Sequence, residues 1–316
     1  MKTLHTHIPL ILPYQNHPSD RLCFLIKGAT SAPVYWALSH FHNLPGLTLY
    51  YRLLMFYCSL LAKRRLPLQD ALREMALPLD SVRYFECDFV YNILESYGEL
   101  AGHLLDVSSP RNILIPIIAK HRNLRLDVIN PDQKDLAMTK RIFSMTSFWH
   151  RCRFYPYLID ELPFEPESYN IISSISVLEH IPEDGLAVRK LWSLLKPGGS
   201  LLLSLPCSAS AFVERIDFNE YRLLSPDSDG YVFGQRFYDE TSLRNRVFSI
   251  TGHPSRFALY GEIKKGYFLE NRRRKNSGVP YPFWREPYIM AINFQNFSSI
   301  GDLPGLGVIA MEFVKK

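Results

Sequence analysis

The sequence predicts an α/β fold, in which helices cover both faces of a mostly parallel β-sheet. One observation is a series of elements between Tyr157 and Cys207: an acidic loop, a buried strand, a helix, a glycine turn and a second buried strand. A second observation is that helix and strand patterns also alternate before this stretch, from about residue 83. Strands that alternate with helices lie parallel and are joined by right-handed crossovers.

The first half of the sheet is predicted from residue 83 onwards. Short apolar runs predict its strands, because a parallel strand is covered on both faces. In chain order the predicted elements are a helix at Arg83–Ser96, a strand at His103–Val107, a helix at Asn112–His121, a strand at Leu124–Asn130, a helix at Asp132–Met145 and a strand at Phe154–Ile159.

The second half begins with Tyr169–Ser176, a nearly continuous run of apolar and small residues that predicts a doubly covered strand. Glu183–Leu195 carries apolar residues at helical spacing. Lys196-Pro197-Gly198-Gly199 ends this helix, because proline cannot continue it and glycine can adopt positive φ. The next buried strand is predicted at Ser200–Leu205.

After Pro206 the alternation becomes irregular. Ala209–Gly234 is polar and aromatic, without a clear period. The remaining predicted elements are a helix at Asp239–Val247, a strand at Arg256–Glu262, an insert at Ile263–Pro304 and a closing strand at Gly307–Val314. The sequence therefore predicts one domain over residues 81–316 that carries a long insert.

Residues 1–80 lack the alternating pattern and are predicted to form an N-terminal helical attachment. Helices are predicted at Ala32–His42 and Leu47–Arg64, and Leu22–Ile26 is a candidate strand. Leu47–Arg65 is very apolar and ends in three basic residues. Two interpretations stay open: a helix packed on its own protein, or a helix lying at an anionic membrane surface.

The composition is that of an ordinary globular protein, with 47% hydrophobic and 21% charged residues. A net charge of +5 is too small to indicate nucleic-acid binding. The five cysteines have no C-x-x-C spacing, so neither a zinc site nor a redox motif is predicted. Their scattered positions and the absence of a signal-peptide pattern predict a cytoplasmic protein, peripheral at the membrane if Leu47–Arg65 binds lipid.

Three ordered signatures carry a family resemblance. They are Asp160-Glu161-Leu162-Pro163-Phe164 with Ser168-Tyr169-Asn170, then Leu178-Glu179-His180, then Leu195-Lys196-Pro197-Gly198-Gly199. From about Arg83 to its end, the chain resembles the class I (Rossmann-like) S-adenosylmethionine-dependent methyltransferases, in their small-molecule branch. The resemblance implies a seven-stranded, mostly parallel sheet whose last strand, Gly307–Val314, runs antiparallel between the fifth and sixth strands.

The resemblance also implies S-adenosylmethionine as cofactor, bound at the carboxyl ends of the strands. At the end of the first strand, Asp106 is expected to help hold the methionine ammonium group, or else to cap the next helix. The family usually has a glycine-rich turn here, whereas this chain has Ser108, Ser109 and Pro110. Ser109 is predicted to cap the helix, and the Ser108 hydroxyl to reach the methionine carboxylate.

Each remaining part of the cofactor has an expected partner. Asn130 is predicted at the ribose hydroxyls, with Asp132 as an alternative. Asp160 is predicted to accept a hydrogen bond from the adenine amino group, with Glu161 beside it and an apolar neighbour, Leu162, covering the ring. The backbone at Ser176 is expected near the sulfonium. No metal is predicted.

His180 has two interpretations: a general base, or a residue that fixes the junction between strand and helix. The acceptor is expected to be a small molecule, recognised by Ala209–Gly234 and the Ile263–Pro304 insert; no nucleic-acid motif is present. An alternative is a degenerate methyltransferase fold that acts as a binding or non-catalytic partner subunit. A nicotinamide dehydrogenase is disfavoured, because the G-x-G-x-x-G turn is missing. The oligomeric state is not predicted.

Overall fold

The computed structural model describes residues 21–68, 70–71, 74, 79, 82–216, 224–276 and 283–316. Its helices are α1 (Arg21–Phe41), α2 (Leu47–Ala62), α3 (Arg83–Ser96), α4 (Arg111–Lys120), α5 (Gln133–Ser144), α6 (Asp184–Leu194), α7 (Glu240–Leu243), α8 (Tyr267–Asn276) and α9 (Glu286–Asn293). Its strands are β1 (Ala101–Val107), β2 (Asn123–Ile129), β3 (Cys152–Tyr155), β4 (Tyr169–Ile175), β5 (Leu195–Ser208), β6 (Phe212–Ile216), β7 (Val232–Phe237), β8 (Arg256–Glu262), β9 (Phe294–Asn296) and β10 (Leu306–Val314).

The main sheet has the strand order β3-β2-β1-β4-β5-β10-β8-β9. Strands β1 to β5 pair in parallel. β10 runs antiparallel to both β5 and β8, between which it lies. This confirms the predicted α/β class and the antiparallel last strand.

The predicted number of seven strands was one too few for the described sheet. The additional strand, β9, pairs antiparallel with β8 at the sheet edge. It has three residues and lies inside the insert, so it is too short to produce a strand pattern in the sequence.

One face of the sheet is covered by the N-terminal helices together with α3 and α4. On α2, Leu49, Leu53 and Tyr57 are fully buried in the same core as β1 and β2. The Tyr57 hydroxyl donates to the Asn112 side chain of α4 at 2.6 Å. The strand predicted at Leu22–Ile26 was wrong, because these residues belong to α1. Within the described ranges, no helix is both long and apolar enough to cross a bilayer.

The other face is covered by α6 and the elements around α7. Leu191 and Leu194 of α6 pack with alternate residues of β5 and β10, such as Leu203 and Met311. α7 continues through a π-helical turn at Arg244–Phe248 and a last α-helical turn. Both faces are thus covered, as the apolar strand runs predict.

Two loop regions differ from the sequence expectation. The strand predicted at Phe154–Ile159 is wrong in its bounds: β3 ends at Tyr155, and the rest forms a loop. Ala209–Gly234, which showed no period, contains β6 and the start of β7, which pair as an antiparallel ribbon with a register shift after Glu214. A bulge changes which side chains share a face, so the two-residue alternation of a strand is lost from the sequence.

Candidate functional site

A cavity of about 1130 Å³ opens at the carboxyl ends of β1, β2 and β4. β1 lies between β2 and β4 in the sheet, which makes this edge the point where the strand order reverses. Open α/β sheets bind their ligands at such a point. Of the predicted site residues, the cavity is lined by Ser108, Ser109, Asn130, Asp160, Ser176 and His180.

Ser108 follows β1 in a left-handed conformation, with φ 51°. Its backbone N–H and its hydroxyl both donate to the carbonyl of Ile129, at 2.9 and 3.1 Å. A residue with a Cβ pays about 1–2 kcal/mol for this conformation, which glycine adopts freely. The hydroxyl is therefore committed to the end of β2, and the predicted bond from Ser108 to the methionine carboxylate stays a prediction.

Asp106 lies beneath the cavity and does not line it. Its carboxylate is fully buried, accepting from the Ser109 N–H at 3.1 Å and from the Ser173 hydroxyl at 2.6 Å. Burial raises the pKa of Asp106 to about 6. The predicted contact with the methionine ammonium group stays a prediction. The carboxylate instead holds the turn before α4, which is close to its alternative role.

Ser109 links the first turn to the neighbouring strand. Its hydroxyl oxygen accepts from the backbone N–H of Ile175 at 3.0 Å, which joins the end of β1 to the end of β4. The first residue of α4 is Arg111, and Pro110 precedes it without a side-chain cap. The predicted capping of α4 by Ser109 is therefore replaced by a contact across the sheet.

Asn130 and Asp132 both line the cavity after β2. The side-chain oxygen Oδ1 of Asn130 accepts from the Asp132 N–H at 2.9 Å, and its side-chain Nδ2 donates to the Asp135 carboxylate at 3.0 Å. Asp132 is the N-cap of α5, accepting from Lys134 at 2.9 Å. These hydrogen bonds hold both side chains after β2, and their roles in binding the ribose stay predictions.

Asp160 is exposed and lines the cavity beside Leu158 and Ile159. Its two predicted partners lie elsewhere. Leu162 is only 4% exposed and belongs to the core, and Glu161 accepts from the Leu158 N–H at 3.4 Å outside the cavity lining. The apolar surface beside Asp160 therefore comes from residues on its N-terminal side. β3 ends early enough for this loop to turn back over the cavity.

Ser176 follows β4, also in a left-handed conformation with φ 51°. Its hydroxyl donates to Glu86 of α3 at 2.6 Å, and the Ser204 hydroxyl donates to the same oxygen at 2.7 Å. Arg83, which lines the cavity, donates to the other oxygen of Glu86 at 3.0 Å. Glu86 is fully buried and organises this edge. Glu86 was not predicted as a site residue, because a single Glu in an amphipathic helix carries no signal in the sequence.

His180 lines the cavity and is anchored by one ring nitrogen. Its Nδ1 lies 2.8 Å from the carbonyl oxygen of Gly234 on β7. A carbonyl only accepts, so Nδ1 carries the hydrogen and Nε2 is the basic nitrogen of the neutral ring. Nε2 lies 3.8 Å from Glu179. Burial, together with the neighbouring Glu86, raises the pKa of Glu179 to about 8.

The far end of the cavity is formed by the β6–β7 ribbon and by α8 of the insert. The residues that these elements contribute include Glu214, Phe233, Gln235, Phe268 and Arg272. Both regions were predicted to recognise the acceptor, but no individual residue here was singled out. No sequence pattern could identify these residues, because they are far apart in the chain and come together only in the folded protein.

Comparison with known proteins identifies the class. A family model described as a methyltransferase domain matches residues 83–248, which is more than half of the chain. The chain belongs to this family, in agreement with the strand order and with the cavity at the strand ends. It is an S-adenosylmethionine-dependent methyltransferase, as the resemblance implied.

Individual relatives are more distant. The ubiquinone biosynthesis O-methyltransferase of Sodalis glossinidius is 25% identical over 210 residues, covering 62% of this chain and 82% of that protein. The ubiquinone/menaquinone biosynthesis C-methyltransferase UbiE of Saccharophagus degradans is 29% identical over 119 residues, covering 37% of this chain and 46% of that protein. Among solved structures, the Burkholderia thailandensis 1,6-didemethyltoxoflavin-N1-methyltransferase is 15% identical with a TM-score of 0.44, covering 73% of this chain and 78% of that one.

Proposed function

We propose that this enzyme methylates a hydroxyl group of a small aromatic acceptor bound at the far end of the cavity. Both curated relatives are named for methyl transfer in quinone biosynthesis, one of them to oxygen. The observation that carries the proposal is the placement of His180, whose basic Nε2 belongs to a ring that lines the cavity and is fixed through Nδ1. A hydroxyl must lose its proton to become a good nucleophile, and a histidine suits that step.

The residues at the strand ends fit the cofactor. Asn130 and Asp132 offer polar groups to a ribose, and Asp160 offers an exposed carboxylate to an amino group. The turn at Ser108 brings backbone close to the cavity in a conformation that the family usually assigns to glycine. S-adenosylmethionine supplies a methyl group that its sulfonium already activates. The protein's task is alignment, which is worth up to about 7–11 kcal/mol in favourable cases.

His180 takes the proton of the acceptor hydroxyl as the oxygen attacks. Its Nδ1–H remains bonded to Gly234, which holds the ring plane against the β6–β7 ribbon. Nε2, which takes the proton, lies 3.8 Å from the Glu179 carboxyl, and the resulting cation stays bonded to Gly234 through Nδ1. The same ribbon therefore positions the base and forms a wall of the acceptor end.

Cofactor binding is tested by calorimetric titration with S-adenosylhomocysteine, the product of the reaction, on the wild type and Asp160→Ala. We expect binding to the wild type and a loss of about tenfold or more in the variant, because a charge-assisted hydrogen bond is removed. The matched control is Glu165→Ala, an exposed carboxylate on the same loop outside the cavity lining, which should bind as the wild type does. A wild type that binds no S-adenosylhomocysteine at millimolar concentration would contradict the proposal.

The role of His180 is tested by His180→Gln with catechol as the acceptor. We expect kcat to fall by about 10²–10⁴-fold, while the affinity for S-adenosylhomocysteine stays unchanged. The acidic limb of the pH–rate profile should disappear in the variant. A change in kcat of less than threefold, with the limb retained, would assign His180 to the structural role alone.

The cellular setting is also a proposal. The described cysteines Cys58, Cys87, Cys152 and Cys207 are free thiols, which is typical of a reducing cytoplasm. Most apolar residues of α2 face the core, and its exposed positions include Arg52 and Met55. This favours the packed interpretation of Leu47–Arg65 over membrane contact. Vesicles of anionic lipid should therefore not sediment the protein.

A further inference from the structure

Glu214 is a buried carboxylate at the acceptor end of the cavity, with an exposed fraction of 1%. Both of its oxygens lie 2.9 Å from Nη1 of Arg272, and Nε2 of Gln235 donates to one of them at 2.6 Å. A carboxylate only accepts, so the orientation of the Gln235 amide is fixed. Glu214 thus holds an arginine and a glutamine in place and cancels the charge of the arginine.

The atoms that Glu214 leaves unused are those that could meet a ligand. Within the part of the chain that the structure describes, Nε and Nη2 of Arg272 and Oε1 of Gln235 have no hydrogen-bond partner. Both side chains line the cavity, and Arg272 is 30% exposed. One planar edge with two donors therefore stands beside one acceptor. Phe233 and Phe268 line the cavity with them and provide flat apolar surface.

Glu214, Gln235 and Arg272 form a polar cluster that is held in place by two elements, the β6–β7 ribbon and α8. Glu214 and Gln235 face each other across β6 and β7. On α8, Phe268 and Arg272 are four residues apart and share one face. The start of α8 is fixed by Glu262, which accepts from the N–H groups of Gly266 at 3.0 Å and Phe268 at 2.8 Å.

We propose that Arg272, Gln235 and Glu214 form the acceptor-recognition site, and that they select an aromatic ring carrying adjacent oxygens without a negative charge. A ring oxygen accepts from the Arg272 edge, while a neighbouring hydroxyl donates to Gln235. The proposal rests on the proposed function, since it names the acceptor class of the same cavity.

The charge state of the cluster gives the selectivity. Because Glu214 neutralises Arg272, the pair offers hydrogen bonds without net charge. A carboxylate on the acceptor would lie near Glu214 and would be repelled, and such repulsion is how a site rejects a competing ligand. Removing the negative charge of Glu214 should therefore convert the site into one that prefers an anion, because Arg272 alone binds carboxylates well.

The experiment measures the binding of two probes, catechol and its carboxylated analogue protocatechuate, by calorimetry in the presence of S-adenosylhomocysteine. We expect the wild type to bind catechol about tenfold more tightly than protocatechuate. Arg272→Gln should lose about tenfold in catechol affinity, as expected for loss of a hydrogen bond from a charged donor. Glu214→Gln should reverse the order of the two probes. The matched control is Lys265→Gln, which removes an exposed charge just before α8 and should change neither affinity.

S-adenosylhomocysteine binding separates the possible results. If the wild type does not bind it, the proposed function fails. If the wild type binds it but prefers protocatechuate, or binds neither probe, the recognition site alone is overturned. If Arg272→Gln loses S-adenosylhomocysteine binding through misfolding, Gln235→Met replaces it; that variant keeps the ion pair and should lose severalfold in catechol affinity. An unchanged catechol affinity in Gln235→Met would likewise overturn the assignment.

Discussion

Single residues at the strand ends carry backbone strain, and Ser108 is the clearest case. Its left-handed backbone costs about 1–2 kcal/mol, and its hydroxyl bond to Ile129 returns about 0.5–1.5 kcal/mol. Strain of this kind is concentrated at functional sites. The serine is thus a substitute for glycine that is stabilised by its own side chain.

Two substitutions at Ser108 separate the free-energy cost of the left-handed backbone from the contribution of the hydroxyl hydrogen bond. Ser108→Ala keeps the strain and loses the hydroxyl bond, so the free energy of unfolding should fall by about 1 kcal/mol. Ser108→Gly loses the bond but also the strain, so it should be more stable than Ser108→Ala by about 1 kcal/mol. Urea denaturation of the three proteins measures both differences. The strain account would be wrong if alanine were the more stable of the two.

The stability of the folded protein should depend on pH through Glu179. Burial and the neighbouring Glu86 raise the pKa of Glu179 from 4.5 to about 8, so the folded protein holds a proton there that the unfolded chain releases above pH 4.5. The stability contributed by that proton is present below pH 4.5 and is lost as pH rises through 8, by up to about 1.4 kcal/mol per pH unit.

Glu179→Gln stays neutral at every pH. We expect its melting temperature to exceed that of the wild type at pH 8 and the difference to shrink toward pH 5. Glu165→Gln, an exposed glutamate on the loop before β4, is the control and should follow the wild type throughout. Thermal melts across this range measure the effect, and parallel wild-type and Glu179→Gln curves would show that Glu179 is not the group responsible.

Among the elements, α8 depends on a residue outside itself. Glu262 is buried at the end of β8 and accepts from Gly266, Phe268 and, at 2.8 Å, the N–H of Leu306 at the start of β10. A negative charge at a helix N-terminus also complements the helix dipole. One carboxylate thus joins the insert to the last strand of the sheet.

Glu262→Ala removes the carboxylate partner of one buried N–H group, that of Leu306, and of two partly buried ones, those of Gly266 and Phe268. We expect the free energy of unfolding to fall by about 3 kcal/mol or more, because each unsatisfied group costs about 1–3 kcal/mol. Urea denaturation measures the loss. Lys264→Ala, two residues later and exposed, is the control and should remain within about 0.5 kcal/mol of the wild type. A similarly small change in Glu262→Ala would show that α8 does not need this cap.

The elements also show what the sequence could predict. β1, β2, β4 and β5 were found because each is an apolar run covered on both faces, and that pattern depends on local composition. The ribbon of β6 and β7 was missed because it is partly exposed and bulged, so no period survives. For the same reason the polar cluster at Glu214 was invisible, since it depends on pairing rather than on composition.

At the scale of the whole molecule, the N-terminal helices are built into the sheet's own core. Leu53 of α2 is 0% exposed and belongs to the same hydrophobic cluster as Leu104 of β1 and Ile113 of α4. Leu53→Ala should lower the free energy of unfolding of the entire protein by about 2–5 kcal/mol in a single transition. Met55→Ala, at a position 68% exposed, should change it by less than about 0.5 kcal/mol.

Two transitions in Leu53→Ala, with the main one at the wild-type temperature, would show instead that residues 1–80 unfold as a separate unit. Calorimetry distinguishes these results directly. A single shifted transition would mean that α2 supports the cavity. It would do so through α3 and α4, which share its hydrophobic core and line the cavity with Arg83 and Arg111.

The three sequence signatures predicted where in the sheet the site lies, but not which of their side chains line the cavity. Asp160 and Ser176 line the cavity because both lie in loops that follow strands of the parallel sheet, and their roles at the cofactor stay predictions. Asp106 and Leu162 are buried and do not line the cavity, since burial depends on neighbours that sequence spacing does not reveal; their roles at the cofactor stay predictions. Glu86 was missed because its partners, Ser176 and Ser204, are far from it in the chain.

The position of β10 has a consequence for how the chain is made. β10 contains Leu306–Val314 and lies between β5 and β8, which are both complete long before it emerges from the ribosome. The cofactor half of the sheet, β1 to β5, can pair as it is synthesised, whereas β8 has no neighbour in the main sheet until β10 arrives or β9 covers its edge. Completion of the sheet beyond β5 therefore waits for Leu306–Val314, and a ribosome stalled before Leu306 would hold an open sheet edge at β5 that invites chaperone binding.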